Sequence, residues 1–267
     1  MARRPTNVRP EPRPHPILEQ HFPRWTDFKA AFAAELFSDG LFRRGRYLFR
    51  GHADASWRLE STFDRAFKNH SKAVRLTIAN KLIAHFRQFL EEQRLALDVL
   101  DNEQRLLALG QHFGLPTRLL DWSESPYVAA FFAFHNTALW GASDSNVVIW
   151  ALDTEHAIWS REYGVEIVDG STLGNDRIRN QSGRFTLSRT PYANLEEYVA
   201  AHGDGGHPLR RFLLPAREAR AVLADLESMR IHHATVYPEV SGCAYAALFR
   251  AVVEVNAHTS SEATRAT

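Results

Sequence analysis

The sequence predicts an α+β fold, a single domain with a mixed β-sheet and several packed helices. Three observations carry the prediction. Strand-length apolar runs and helix-length amphipathic runs are interspersed without a regular βαβ beat. A chain of 267 residues that is 45% hydrophobic has enough apolar material for one large core. No internal repeat or low-complexity linker divides it, and only its ends read as unable to pack. Residues 1–16, MARRPTNVRPEPRPHP, are rich in Arg and Pro and predict a disordered basic arm. Residues 17–255 form the domain, and the small polar residues of 256–267 predict a disordered tail.

The elements follow in order. WTDFKAAFAAELF has apolar residues at helical spacing, with Thr26 as its cap. RYLFRGHAD, residues 46–54, reads as a strand covered on both faces: Tyr47, Phe49 and Gly51 share one face, and Leu48, Arg50 and His52 share the other. From Ala66 to Asp98, Leu76, Ile83, Phe86 and Leu90 fall near one stripe and predict a long helix with a break near Ser71. NEQRLLALGQHFGLP is a further helix, stopped by Gly114 and Pro116. TRLLDW is a short strand, and SPYVAAFFAFHNTALWG is a helix capped by Ser125, apolar nearly all round and therefore buried. SNVVIWALD is a buried strand. Residues 155–195 predict a long irregular loop containing short strands. RRFLLPA reads as a strand, REARAVLADLESMR as a helix, and ATVYPEVSGCAYAALFRAV as a short strand or turn leading into a terminal helix.

Composition removes several function classes. Lys+Arg of 32 against Asp+Glu of 31 leaves a net charge of +1, so no global field recruits nucleic acid or an anionic membrane. The single cysteine, Cys243, excludes an internal disulfide framework and fits a reducing compartment. No run reaches the roughly 18 apolar residues of a membrane span, and the amino terminus lacks the apolar core of a secretory signal, so a cytoplasmic protein without membrane partners is expected. Thirteen histidines invite a metal, but no HExxH or paired Cys/His spacing is present and none is expected. Neither a P-loop nor a GxGxxG after a strand exists.

The densest polar cluster in apolar surroundings is QHFGLPTRLLDWSES, residues 111–125. Gln111 and His112 end one helix, Thr117, Arg118 and Asp121 lie on or beside the next strand, and Asp121, Trp122 and Ser123 form the turn that opens a buried helix. Free backbone donors at such a helix start favour a phosphate or carboxylate. Arg50 needs either an internal carboxylate or an anionic ligand, because a guanidinium cannot be left dry and unpaired. Each residue also has a structural reading: Asp121 pairing with Arg50 or Arg118, His112 capping a helix end, Trp122 packing in the core.

FRGH at 49–52, SWRLESTFDR, GQHFGLPTRLLDWSESPYVAAFFAF, RIRNQSGRF and VYPEVSG together resemble the FRG domain family, over about residues 25–250. That resemblance implies a bacterial cytosolic protein, in some members a toxin or phage-defence effector. LFRGH and TRLLDWSESPYVAAFFAF are more distantly similar to two elements of mono-ADP-ribosyltransferases, which implies an ADP-ribosyltransferase-like fold and NAD as substrate. By that likeness Arg50 and Arg118 grip the pyrophosphate, Gly51 lets the ligand approach the backbone, and Ser123 supplies a hydroxyl. Trp122 stacks on the nicotinamide, with His52, Gln111, His112 and Thr117 completing the pocket. The sequence lacks a Ser-Thr-Ser run and a late Glu-X-Glu pair. Glu239 in YPEVSG is the leading catalytic acid and Asp121 the second candidate. Gln181, in RIRNQSGRF, is placed on a loop over the pocket, with Gly183 for a tight turn and Phe185 as its anchor.

Three functions remain open from sequence. One is an NAD-dependent ADP-ribosyltransferase-like enzyme with a protein or RNA acceptor. A second is a non-catalytic module that recognises a nucleotide or phosphorylated partner. The third is an RNA-directed toxin whose basic arm, Arg177, Arg179 and Arg184 contact phosphates.

Overall fold

A computed structural model describes residues 15–140, 145–169, 183–203 and 205–265. The basic arm up to residue 14 and Gln181, Arg177 and Arg179 lie outside the described residues. A seven-stranded mixed sheet forms the middle of the molecule. Its strands are β1 (Ile17–His21), β4 (Tyr47–His52), β5 (Leu119–Ser123), β6 (Asn146–Asp153), β7 (Val165–Asp169), β8 (Gly183–Ser188) and β9 (Leu209–Pro215). The order is β1-β9-β6-β4-β5-β8-β7, with β1 parallel to β9 and every other pair antiparallel. Two short strands, β2 (Phe37–Ser38) and β3 (Leu41–Phe42), make a separate hairpin. This is the α+β domain with a mixed sheet that the sequence predicts.

The helices among the described residues are α1 (Trp25–Leu36), α2 (Thr62–Ala66), α3 (Lys72–Glu92), α4 (Glu103–His112), α5 (Pro126–Trp140), α6 (Leu195–His202), α7 (Ala219–Ser228), α8 (His233–Val236) and α9 (Val240–Arg265). Strand alternation sorts the core into two layers. Phe49, Ile149 and Phe212 project to one face and pack with Phe28 and Phe32 of α1, Phe134 of α5 and Val222 of α7. Leu48, Trp150 and Leu209 project to the other, beneath Tyr198 and Val199 of α6. Most of helix α5 is interior, with Ala129, Ala130, Ala133 and Phe134 buried as the nearly all-round apolar sequence foretells, while Asn136 is exposed.

Local chemistry explains the ends. Ser125 Oγ accepts from Val128 N (3.3 Å), the cap expected of it. The break near Ser71 is real: α2 ends before it and Ser71 Oγ caps α3 at Val74 N (3.4 Å). Thr26 is not a cap, because α1 begins at Trp25, whose N–H is taken by the distant carboxylate of Glu218 (3.2 Å). Strand β1 and helix α6 are not foreseen in the sequence. The first depends on its partner β9 alone for its ladder, and the second sits inside the segment read as loop, although Asn194 caps it through Glu197 N (2.9 Å). Where the sequence predicts a short strand or turn, His233–Val236 forms a one-turn helix followed by a bend at 237–239, and α9 continues past residue 256, where the sequence predicts a frayed tail. No described helix is long and apolar enough to cross a membrane.

Candidate functional site

The sheet opens at its centre. β4 pairs with β6 along the whole of Tyr47–His52, but with β5 only through Phe49 and Ser123. Beyond that bridge the two strands diverge, and a cleft of about 970 Å³ occupies the gap. Arg50 spans it: Nη1 donates to the Asp121 carbonyl (2.7 Å), taking the place of a ladder hydrogen bond. The Asp121 carboxylate is 3.8 Å from the same nitrogen, too long for a hydrogen bond, and is 58% exposed while Arg50 is 21% exposed. The carboxylate is turned instead toward Gln111, whose Nε2 donates to Oδ1 (2.8 Å), and Thr117 Oγ1 in turn donates to Gln111 Oε1 (2.6 Å).

Arg50 is held in this pose by His52. Nε of Arg50 donates to Nε2 of His52 (3.0 Å), which requires that nitrogen to be unprotonated. Burial first, and the Arg50 charge second, push the His52 pKa down to about 3, so the ring is a neutral acceptor at ordinary pH. Burial also lowers the Arg50 pKa, opposed by Asp121, and Arg65 adds repulsion in the same downward direction. Arg58 and Arg65 line the cleft with Arg50, against two carboxylates among the described lining residues, Glu60 and Asp121. The cleft is thus rich in guanidinium and short of internal counter-charge.

Of the residues expected at a site, Arg50, Gly51, His52, Gln111, His112, Asp121, Trp122 and Ser123 all border this one cleft. Several do so in roles other than those expected. A Cβ on Gly51 would lie 1.9 Å from the Ala129 carbonyl oxygen of α5, so this glycine is needed for helix-to-strand contact rather than ligand approach. Trp122 is buried in the core and its Nε1 donates to Thr186 Oγ1 (3.1 Å), which fixes its ring within the sheet layer. Ser123 Oγ accepts from Ser125 N (3.0 Å), a turn bond at the entrance to α5. The α5 residues that border the cleft are Phe132, His135 and Asn136, well past its first turn, so arginine side chains and not the helix start supply the positive charge. Thr117 is buried behind Gln111.

Arg118 is elsewhere. Its Nη2 meets Asp64 Oδ1 (3.3 Å) and the Tyr192 carbonyl (3.1 Å), and Nη1 donates to the Thr190 carbonyl (2.7 Å). Arg75 Nη1 reaches the same Asp64 oxygen (3.5 Å), and Ser61 Oγ donates to the other (2.6 Å). This closed knot, with side chains only 5–7% exposed, ties α2, α3, β5 and the segment before α6 together. Glu239, the leading candidate acid, is exposed at the start of α9 and does not border the cleft. Phe185 is buried, as its anchoring role requires, while Gly183 begins β8 instead of forming a turn.

Sequence reading missed Trp57, Glu60, Arg65 and His135, all of which border the cleft. Trp57 is 55% exposed, an unusual setting for an indole, and its ring lies 6.1 Å from His52. The signals were present: a tryptophan beside arginine in a turn-rich stretch, SWRLES, and one histidine within the apolar helix AAFFAFHN.

The family model for the FRG domain matches residues 45–139, which run from β4 through α5 and include Arg50, Asp64, Arg118, Asp121 and His135. The chain carries an FRG domain in that segment. RIRNQSGRF and VYPEVSG fall outside it. No curated protein and no solved structure matches the chain, so the resemblance to mono-ADP-ribosyltransferases gains no support from these comparisons.

Proposed function

We propose that the cleft between β4 and β5 binds a phosphate-bearing nucleotide and that the chain is an NAD-consuming, ADP-ribosyltransferase-like enzyme. The observation that carries the reading is the state of Arg50. It is a largely buried guanidinium, oriented by His52 and by a backbone carbonyl, with no intimate carboxylate and an open cleft in front of it. A group so desolvated and so incompletely neutralised is arranged for an anion that arrives from outside. Arg58 and Arg65 extend the cationic lining, and a pyrophosphate takes the fork geometry of guanidinium better than that of ammonium. Trp57 offers an exposed face on which a nucleobase stacks.

The chemistry follows from charge. Breaking the bond between ribose and nicotinamide develops positive charge on the sugar, and a carboxylate beside that carbon stabilises the transition state more than the ground state. Asp121 fits this role: it borders the cleft, is held by Gln111, is largely exposed and makes only a long ion pair, 3.8 Å, with Arg50. An activity that consumes NAD agrees with the toxin or phage-defence settings implied by the family resemblance.

The test is to titrate NAD by calorimetry while assaying released nicotinamide. Wild-type protein binds and releases nicotinamide, Arg50→Ala loses binding, and Asp121→Asn retains binding with turnover lowered about 100-fold or more. Binding by Asp121→Asn with wild-type turnover removes Asp121 from the mechanism. NAD binding without any turnover leaves the chain a nucleotide-recognition module.

A further inference from the structure

The largely buried helix α5 contributes a titratable side chain to the cleft. His135 projects from the middle of α5, between Phe132 and Asn136, and all three border the cleft. Its Nδ1 lies 3.1 Å from both the Phe131 and the Phe132 carbonyl oxygens. Carbonyls only accept, so Nδ1 carries the hydrogen and the tautomer is fixed. The remaining nitrogen, Nε2, therefore holds a lone pair. It has no protein partner among the described residues, yet it is not among the side-chain atoms sealed from solvent without one. The ring is clamped as well as oriented: it stacks on Phe131 at 5.1 Å with planes 15° apart and meets His233 edge-on at 5.6 Å.

We propose that His135 is the general base of the cleft, taking a proton through Nε2 from an oxygen nucleophile, water in the simplest case. The proposal rests on the reading of the cleft as NAD-consuming. In the step, the water oxygen forms a bond to the ribose carbon that carries nicotinamide, while the bond from that carbon to the nicotinamide nitrogen breaks and its electron pair neutralises the pyridinium. The water proton passes to His135 Nε2, giving ADP-ribose, neutral nicotinamide and an imidazolium that returns its proton to solvent. Asp121 and His135 then divide the work, one stabilising charge on the sugar and the other activating the nucleophile. Burial lowers the His135 pKa, which keeps the ring neutral and able to accept at ordinary pH. The titratable and charged groups that share its surroundings are His233 from α8, His52 and Arg50 from β4, His112 from α4, Asp121 from β5, and Arg58, Glu60 and Arg65 from the segment leading into α2 and α2 itself.

The experiment compares wild type, His135→Ala and His135→Gln for NAD binding by calorimetry and for hydrolysis to nicotinamide and ADP-ribose. Both variants are expected to bind NAD within about threefold of wild type and to hydrolyse it about 100-fold or more slowly. Imidazole in solution is expected to restore part of the rate to His135→Ala, and the acidic limb of the kcat profile to disappear from both variants. A merely structural role would move neither of those readouts. Hydrolysis at the wild-type rate in either folded variant overturns the assignment and leaves the cleft reading intact. Wild-type protein that binds NAD without hydrolysing it also overturns the base, whereas wild-type protein that does not bind NAD overturns the cleft reading and the base together.

Discussion

Arg50 and Arg118 both accompany neighbouring strands of the sheet, and both belong to the segment that matches the FRG domain, but their guanidinium groups keep different company. Arg118 shares one carboxylate with Arg75 and donates from Nη1 and Nη2 to two backbone carbonyls, in a knot whose side chains are almost entirely buried, although Nε of each arginine finds no partner there. Arg50 has a neutral histidine, one carbonyl and a carboxylate at 3.8 Å, and a cleft on its open side. The first arrangement holds its own counter-charge, the Asp64 carboxylate, and ties secondary structure together. The second leaves the guanidinium facing an open cleft, with room for the anion proposed above to bind there. A buried charge therefore does not announce a binding site; what matters is whether its neighbours already satisfy it.

The knot is where the largest loss of stability is expected. Asp64→Ala leaves two buried guanidiniums without their carboxylate and is expected to cost about 3–5 kcal/mol, read as a lowered midpoint in urea unfolding. A change under about 1 kcal/mol would show that backbone carbonyls alone satisfy the pair, and the contrast with Arg50 would weaken.

Next comes Gly51, on the cleft side. The added methyl of Gly51→Ala falls 1.9 Å from the Ala129 carbonyl, so β4 and α5 must move apart at a cost of about 1–3 kcal/mol or more. Because that shift also carries Arg50 out of register with Asp121, NAD binding should fall together with the melting temperature. Unchanged binding in a destabilised variant would separate the strand position from the site.

Acid distinguishes the two regions in a third way. His52 belongs to the cleft, and the hydrogen-bond partners of the knot include no histidine. The folded state holds His52 at about 3 and His233 at about 4, below the roughly 6.5 of an unfolded chain. In the window between, the unfolded state binds more protons, so stability is full above about pH 6.5 and declines as pH falls toward the folded values. The slope for each histidine is at most about 1.4 kcal/mol per pH unit. Urea unfolding at pH 7, 6 and 5 checks this, and His52→Asn should flatten part of the slope. An unaltered slope in that variant would mean that His52 is not held neutral.

The pattern of what sequence conveys follows the same physical division. Apolar period and capping residues act locally, so α3, α4, α5, β4 and β6 are legible, and the spacing of QHFGLPTRLLDWS draws Gln111, Asp121 and Ser123 to the mouth containing Arg50. Roles that depend on distant partners are not legible. Nothing around Arg118 in the chain reveals that Asp64 is waiting for it, and nothing beside Gly51 reveals the backbone of Ala129. Glu239 looked suited by its turn, but reaching the cleft is a property of tertiary placement and it does not reach it. His135 was concealed by its apolar neighbours, although a lone imidazole in such a helix is costly enough to invite a question.

The most direct test pairs Arg50→Lys with Arg118→Lys, measuring NAD affinity by calorimetry and stability by urea unfolding on both. Arg50→Lys is expected to weaken NAD binding about 10-fold or more while stability stays within about 1 kcal/mol, and Arg118→Lys to lose stability while the folded fraction binds NAD as wild type does. Wild-type affinity in Arg50→Lys, or lost affinity in a fully stable Arg118→Lys, would contradict the assignment of one arginine to the ligand and the other to the scaffold.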